Sequence, residues 1–231
     1  MEMRVPDAPH LPTGLRDAAA GLGGAARMAA ALATPWRRAR RATWGAGPRL
    51  AARTHPGDGL VPDPRWGWTH AVTVEAPAGE VWPWIAQIGA DRGGFYSYTW
   101  LENLAGCGIR DADRIHPEWQ ARPGDRLVLH PKAPALTIRA AGDGRLLAHG
   151  QADAAARAAG RPWAEASWLI AAEPLGPGRT RVVSRYRCAC SDDLRTRLAM
   201  GPALLEPIGG TMDRRMLRGI ARRVRAARAA G

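Results

Sequence analysis

The stretch TRVVSRYRCAC (residues 180–190) decides the fold. Val182, Ser184, Tyr186, Cys188 and Cys190 fall on one side of it, while Arg181, Arg185 and Arg187 fall on the other with Val183. A period of two is that of a β-strand. A dry face opposite a wet one marks a sheet covered on one side only. Farther on, TMDRRMLRGIARRVRAARAA (211–230) changes the period. Met212, Met216, Ile220 and Val224 recur every four residues, with Leu217 and Ala221 beside them and arginines over the remainder, which predicts a long amphipathic helix. A one-sided sheet followed by a one-sided helix gives an α+β layout, in which one curved antiparallel sheet wraps a long C-terminal helix.

Upstream, THAVTVEA (69–76) alternates as a half-buried strand. PAGEVWPWIAQIG (77–89) places Val81, Trp84, Ile85 and Ile88 at helical spacing. Pro83 predicts a kink or a late start there, and Gly89 a stop. YSYTWLENLAG (96–106) reads as a second short helix ending at Gly106. RLVLH (126–130), ALTIRAA (135–141), RLLAHG (145–150) and ASWLIAAEPLG (166–176) read as further strands, with a weaker stretch over 151–165.

These elements make one domain over 69–229. The Pro/Gly-rich stretch HPGDGLVPDPRWGW (55–68) reads as a linker laid along its surface. Residues 1–54 read as a basic Ala/Arg-rich N-terminal arm, partly disordered or loosely helical. GLGGAA (21–26) has the spacing of a nucleotide loop, but no strand precedes it, so it is not read as one. The segment 18–36 is the most apolar run; it is broken by Arg27 and lacks the Leu-rich centre of a signal peptide. An interfacial or flexible helix in a cytoplasmic protein fits it better.

The net charge of +12 is uneven. Residues 1–60 hold nine Arg against four acids, residues 61–210 hold seventeen Lys/Arg against sixteen acids, and residues 211–231 hold seven Arg against one acid. Basic ends on a neutral middle argue against specific DNA binding, but allow weak contact with an anionic membrane or RNA through the arm and the C-terminal helix. Cys107, Cys188 and Cys190 form no disulfide framework, and the six histidines are scattered without ligand spacing. No metal and no cofactor is expected.

Two long stretches, VTVEAPAGEVWPWIAQIGADRGGFYSYTWLENLAG (72–106) and DADRIHPEWQARPGDRL (111–127), resemble a bacterial group of uncharacterised SRPBCC, or START-like, proteins. That group is described by likeness to polyketide cyclase/dehydrase and lipid-transport proteins. PGDGLVPDP (56–64) and TRVVSRYR (180–187) resemble it too, so the likeness spans about residues 55–228. It implies a helix-grip fold with a cavity between the sheet and the C-terminal helix. It does not imply a reaction, because carriers, receptors and enzymes share that fold.

The chain has one Phe and three Tyr, yet Phe95, Tyr96 and Tyr98 crowd together before Trp100. In a helix grip these rings, with Trp84, are either pocket wall or core plug. Arg92 or Arg114 is read as the receiver of an anionic ligand head, or Glu102 or Glu118 as an acid/base group, with Arg92, Arg114 and Glu118 as ligand-binding candidates; the structural alternative pairs Arg92 or Arg114 with Glu102, Asp113 or Glu118 to pin the loops. Ser184, Tyr186, Met212 and Met216 are the expected lining from sheet and helix. The leading reading is binding of a small hydrophobic ligand, lipid or polyketide-like, by a monomer or weak dimer. The alternatives are a cyclase/dehydratase-type enzyme, with Tyr96, Glu102 or Asp113 moving protons, and a basic interaction protein.

Overall fold

The computed structural model describes residues 15–230, so the first fourteen residues of the basic arm and Gly231 lie outside the described residues. Six strands form one sheet: β1 (Trp66–Val74), β2 (Arg126–Leu127), β3 (Leu136–Gly142), β4 (Arg145–Gly150), β5 (Ala164–Gly176) and β6 (Arg179–Cys190). Every pairing is antiparallel and the order is β1-β6-β5-β4-β3-β2. Helices α1 (Leu15–Leu32), α2 (Arg38–Ala42) and α3 (Gly47–Ala52) precede the sheet; α4 (Ala78–Ala86) and α5 (Thr99–Leu104) follow β1. After β4 comes α6 (Ala154–Ala158), and after β6 come α7 (Leu194–Met200) and α8 (Leu205–Ala230). Helix α8 packs on β1 and β6 and also against α4 and α1, which gives the helix-grip architecture that the two periodicities predict.

The expected elements form, with shifted ends. Strand β1 begins at Trp66, ahead of the expected start, because Trp66 and Trp68 extend the inward row that His70, Val72 and Val74 continue. RLVLH pairs over only two residues. Beyond Leu127 the chain leaves the ladder, and the Val128 carbonyl accepts the Ala90 N–H at 2.9 Å instead. Helix α4 starts at Ala78 and runs through Pro83, so there is no late start; it ends within a turn, capped by Gln87 rather than Gly89. Helix α8 begins upstream of the predicted span, at Leu205.

Register fixes which side chains face α8. Trp68 lies opposite Tyr186, Tyr186 opposite Trp168, and Ser184 opposite both His70 and Ile170. On this inner side the Tyr186 and Trp68 rings stack at 4.7 Å, with Trp66 at 5.3 Å from Tyr186. Ile85, Ile170, Val182, Leu217 and Ile220 complete the core behind them. A buried polar chain ties sheet to helix. Trp168 Nε1 donates to Ser184 Oγ at 2.9 Å, and Ser184 donates to Asp213 Oδ1 at 2.6 Å. Asp213 Oδ2 lies 2.7 Å from His70 Nδ1, and His70 Nε2 donates to the Arg41 carbonyl at 3.0 Å. Pairing of this kind offsets most of the cost of burying charged or polar groups.

The arginine side of β6 is drier than its composition predicts. Asp58 receives Arg185 through both carboxylate oxygens, at 2.6 and 3.0 Å, and Arg187 donates to the Val61 carbonyl at 2.9 Å. The Pro/Gly-rich segment is thereby clamped along the outer face. Burial by itself would raise the Asp58 carboxyl, but the bidentate Arg185 contact outweighs it and holds Asp58 below the usual carboxylate range. Two open concavities, of about 480 and 740 Å³, flank this clamp. Arg53, Asp143, Arg145 and Glu173 line the first; Leu60, Arg139, His149 and Glu165 line the second.

Candidate functional site

The site grows from the turn between α4 and α5. Gly89 and Gly94 pair as an isolated bridge, and the Gly93 N–H reaches the Gln87 carbonyl at 2.8 Å. Gly94 has φ +72°, and a Cβ there would lie 2.4 Å from Asp111 Oδ1, so the position admits only glycine. The close approach is used at once. Asp111 accepts the N–H groups of Phe95 and Tyr96 at 3.2 and 2.8 Å and the Thr99 hydroxyl at 3.0 Å, with Arg223 of α8 at 3.4 Å. Tyr96 is thereby held at φ +57°, uncommon for a residue with a side chain.

This turn sends its rings in different directions. Phe95 points to the sheet, its ring 6.5 Å from Trp168. Tyr96 goes under α4: its hydroxyl donates to the Trp84 carbonyl at 3.1 Å and accepts from Gln87 Nε2 at 3.0 Å. The Trp84 ring meets it edge-on at 6.0 Å, and the Arg223 guanidinium lies 4.2 Å from its centre. Tyr98 and Trp100 point outward, against α1. A Cβ on Gly24 would come within 2.7 Å of the Tyr98 ring, and one on Gly21 within 2.6 Å of Trp100. GLGGAA is therefore a seat for two rings. Its three-residue glycine spacing, on a stretch of helical composition, was the available signal.

Glu102, in the middle of α5, is the chemically distinctive residue. It is 3% exposed, and neither carboxylate oxygen has a hydrogen-bond partner among the described residues. Burial, and then the negative charge of Asp111, push its carboxyl up to about 8. At neutral pH Glu102 is mostly protonated and offers one O–H donor with an acceptor beside it. The neighbouring Cys107 thiol is pushed up to about 11 by burial and by Glu102, and burial pushes Cys188 up to about 12. Neither is a thiolate nucleophile. Trp68 Nε1, on the inner face, is one of several other buried polar atoms with no partner among the described residues.

The remaining predicted residues separate. Trp84, Ser184, Tyr186 and Met216 are buried on the inner side, while Met212 is half-buried and offers its carbonyl to Ser97. Asp213 takes the sheet-facing place on α8 instead, because it serves His70 and Ser184. Arg92 does not pair with Glu102, Asp113 or Glu118. It donates to the Arg126 carbonyl at 2.6 Å and lies 3.7 Å from Asp125. Asp113, Arg114 and Glu118 are exposed, and Glu118 pairs with His116 at 3.1 Å. The anchoring carboxylate of this region is Asp111, two residues before Asp113.

The sequence reading missed Asp111 and the His70–Asp213 pair. Asp213 is the lone acid in the 211–231 arginine helix, and His70 shares the dry face of Val72 and Val74. Both signals were present. Among the described residues no cluster of His, Cys, Asp and Glu could hold a metal ion, and no helix is long and apolar enough to cross a membrane.

No family model matches the chain, and no curated protein matches it. Among solved structures, a conserved protein from Geobacillus kaustophilus is similar at 10% identity and a TM-score of 0.33, over 70% of this chain and 95% of that one. The Zhui aromatase/cyclase from Streptomyces sp. R1128 is similar at 18% identity and a TM-score of 0.31, over 70% of this chain and 97% of that one. Superposition this weak carries nothing about ligand or reaction, and the helix-grip assignment stands on the element order and strand register.

Proposed function

We propose that the chain binds a small, largely apolar molecule bearing a carbonyl or hydroxyl group, at the α5 end of the grip. One observation carries this reading: Glu102 is buried with both oxygens unpartnered among the described residues. Such a group costs about 1–3 kcal/mol relative to a satisfied one, and a ligand group that accepts its proton would recover that cost. The inner rings fit the apolar part. Phe95, Trp68, Trp168 and Tyr186, which pack as core, supply the apolar surface. A ligand must displace these rings, and must part α5 from the facing loop, which are joined by His130 Nε2 and the Ala105 carbonyl at 3.1 Å. Association is therefore slow compared with an open pocket. The likeness to START-like proteins in the 72–127 wording supports the same reading.

A second reading, a cyclase/dehydratase-type enzyme, is favoured by the Glu102 value of about 8, which suits a general acid near neutral pH. Tyr96 is unsuited to that role because Gln87 and Trp84 occupy its hydroxyl, and Asp113 because it is exposed.

The test uses the full chain and Prodan, an uncharged naphthalene whose ketone accepts a hydrogen bond and whose fluorescence reports polarity. Saturable, blue-shifted binding is expected near neutral pH, weakening above about pH 8 as Glu102 loses its proton. Glu102→Gln keeps a donor and should bind without that pH dependence; Glu102→Leu should lose about tenfold. Absence of saturable binding, or affinity indifferent to both variants, overturns the proposal.

A further inference from the structure

Helix α1 is apolar on two sides, yet the protein covers only one of them. Its inner side carries Gly21, Gly24 and Ala31, buried against the Trp100 and Tyr98 rings and α8. Its outer side carries Leu15, Leu22, Ala26 and Ala29, all exposed, with Leu22 at 64%, and Leu32 lies exposed at its flank. Water is a poor partner for such a face. The chain then turns at Trp36, which is 75% exposed, and runs directly into Arg37, Arg38 and Arg40.

Charge around this face is mostly positive. Residues 15–54 hold eight Arg against one acid, Asp17. Arg41 is committed to Thr34 and Glu206, and Arg53 to Glu173. Arg37, Arg38, Arg40 and Arg49 have no ion-pair partner among the described residues. On α8, against which α1 packs, Arg222 is held below its usual value by burial and then by Arg215, Arg223 and Arg218, a local excess of positive charge.

We infer that the outer face of α1, with Trp36 and the arginines after it, docks on an anionic lipid bilayer. An exposed apolar helix face, an indole at its end and an arginine run beside it are the parts an interfacial helix uses. RNA would use the arginines but leaves the leucines without a role. A second copy would cover the leucines but would oppose arginine to arginine.

The full chain is floated with vesicles of phosphatidylcholine, and with vesicles containing about one-third phosphatidylserine. Binding to the anionic vesicles is expected, at least about tenfold tighter than to the neutral ones and falling with salt. Trp36→Ala should weaken it about tenfold. Replacing Arg37, Arg38 and Arg40 together by Gln should weaken it about a hundredfold, at roughly fivefold per charge. Trp36, Arg37 and Arg40 are exposed and Arg38 is half-buried, and circular dichroism checks that the variants fold. No binding to anionic vesicles, or binding that both variants leave unchanged, overturns the inference. So does polyuridine binding that Trp36→Ala does not affect and that displaces the vesicles. A dimer dissociated by Leu22→Ser would assign the face to a second copy and overturn it too. Prodan binding serves as the independent control, since neither variant touches the Glu102 region.

Discussion

Replacing Glu102 by Gln should change the pH dependence of stability more than the stability itself. The wild-type carboxyl has a folded value of about 8 against an ordinary 4.5. Between those values the folded chain holds a proton that the unfolded chain has released, so stability falls as pH rises and the loss is complete above about 8. At about 1.4 kcal/mol for each factor of ten in proton affinity, the penalty at high pH is on the order of 4–5 kcal/mol. That is a large fraction of the stability of an ordinary domain. Gln cannot ionise, so its variant escapes this slope, whatever constant offset its own unpartnered amide adds. Urea unfolding of both chains at several pH values from about 5 to 9 reads the difference. The variant should gain steadily on the wild type, by several kcal/mol over the range. Parallel curves, differing by less than about 1 kcal/mol from end to end, would refute the view of Glu102 as a buried neutral acid.

Asp213→Ala strips the acceptor from both His70 and Ser184, and should destabilise by about 3–5 kcal/mol in urea unfolding; a loss under about 1 kcal/mol would mean the network is not held. Gly24→Val drives a side chain into the Tyr98 ring, where even a Cβ sits at 2.7 Å, and should cost about 1–3 kcal/mol. Tryptic cleavage at Arg27 should quicken in that variant, and an unchanged rate would mean α1 does not dock through Tyr98. Tyr96→Phe leaves the Trp84 carbonyl without its donor, and a drop of about 1–2 kcal/mol in unfolding free energy is expected. No change would show that the hydroxyl is dispensable.

Periodicity carried most of the fold. The alternation at 180–190 and the four-residue repeat at 212–224 each bury a stripe, and two stripes that must meet leave few architectures. It failed where long-range partners override local pattern. RLVLH lost its outer half because Val128 serves Ala90, and Met212 yielded the sheet-facing place to Asp213 because His70 and Ser184 need a carboxylate. The candidate residues were legible by composition, but their pairing was not. Glu102 was one of three proton-moving candidates with Tyr96 and Asp113, whereas the choice of Asp111 over Asp113 depends on where two backbone N–H groups point after a glycine turn. No spacing rule encodes that direction. The fate of Tyr98 and Trp100 depended on two glycines some seventy-five residues distant, a relation visible only once α1 packs.

The most direct test of ligand binding at Glu102 is native mass spectrometry of the full chain expressed in a bacterial host, followed by denaturing extraction. Wild type should carry one small, largely apolar molecule per chain, released on denaturation and at lower occupancy in Glu102→Leu. A bare chain mass in every preparation, including after incubation with Prodan, would contradict the proposed function.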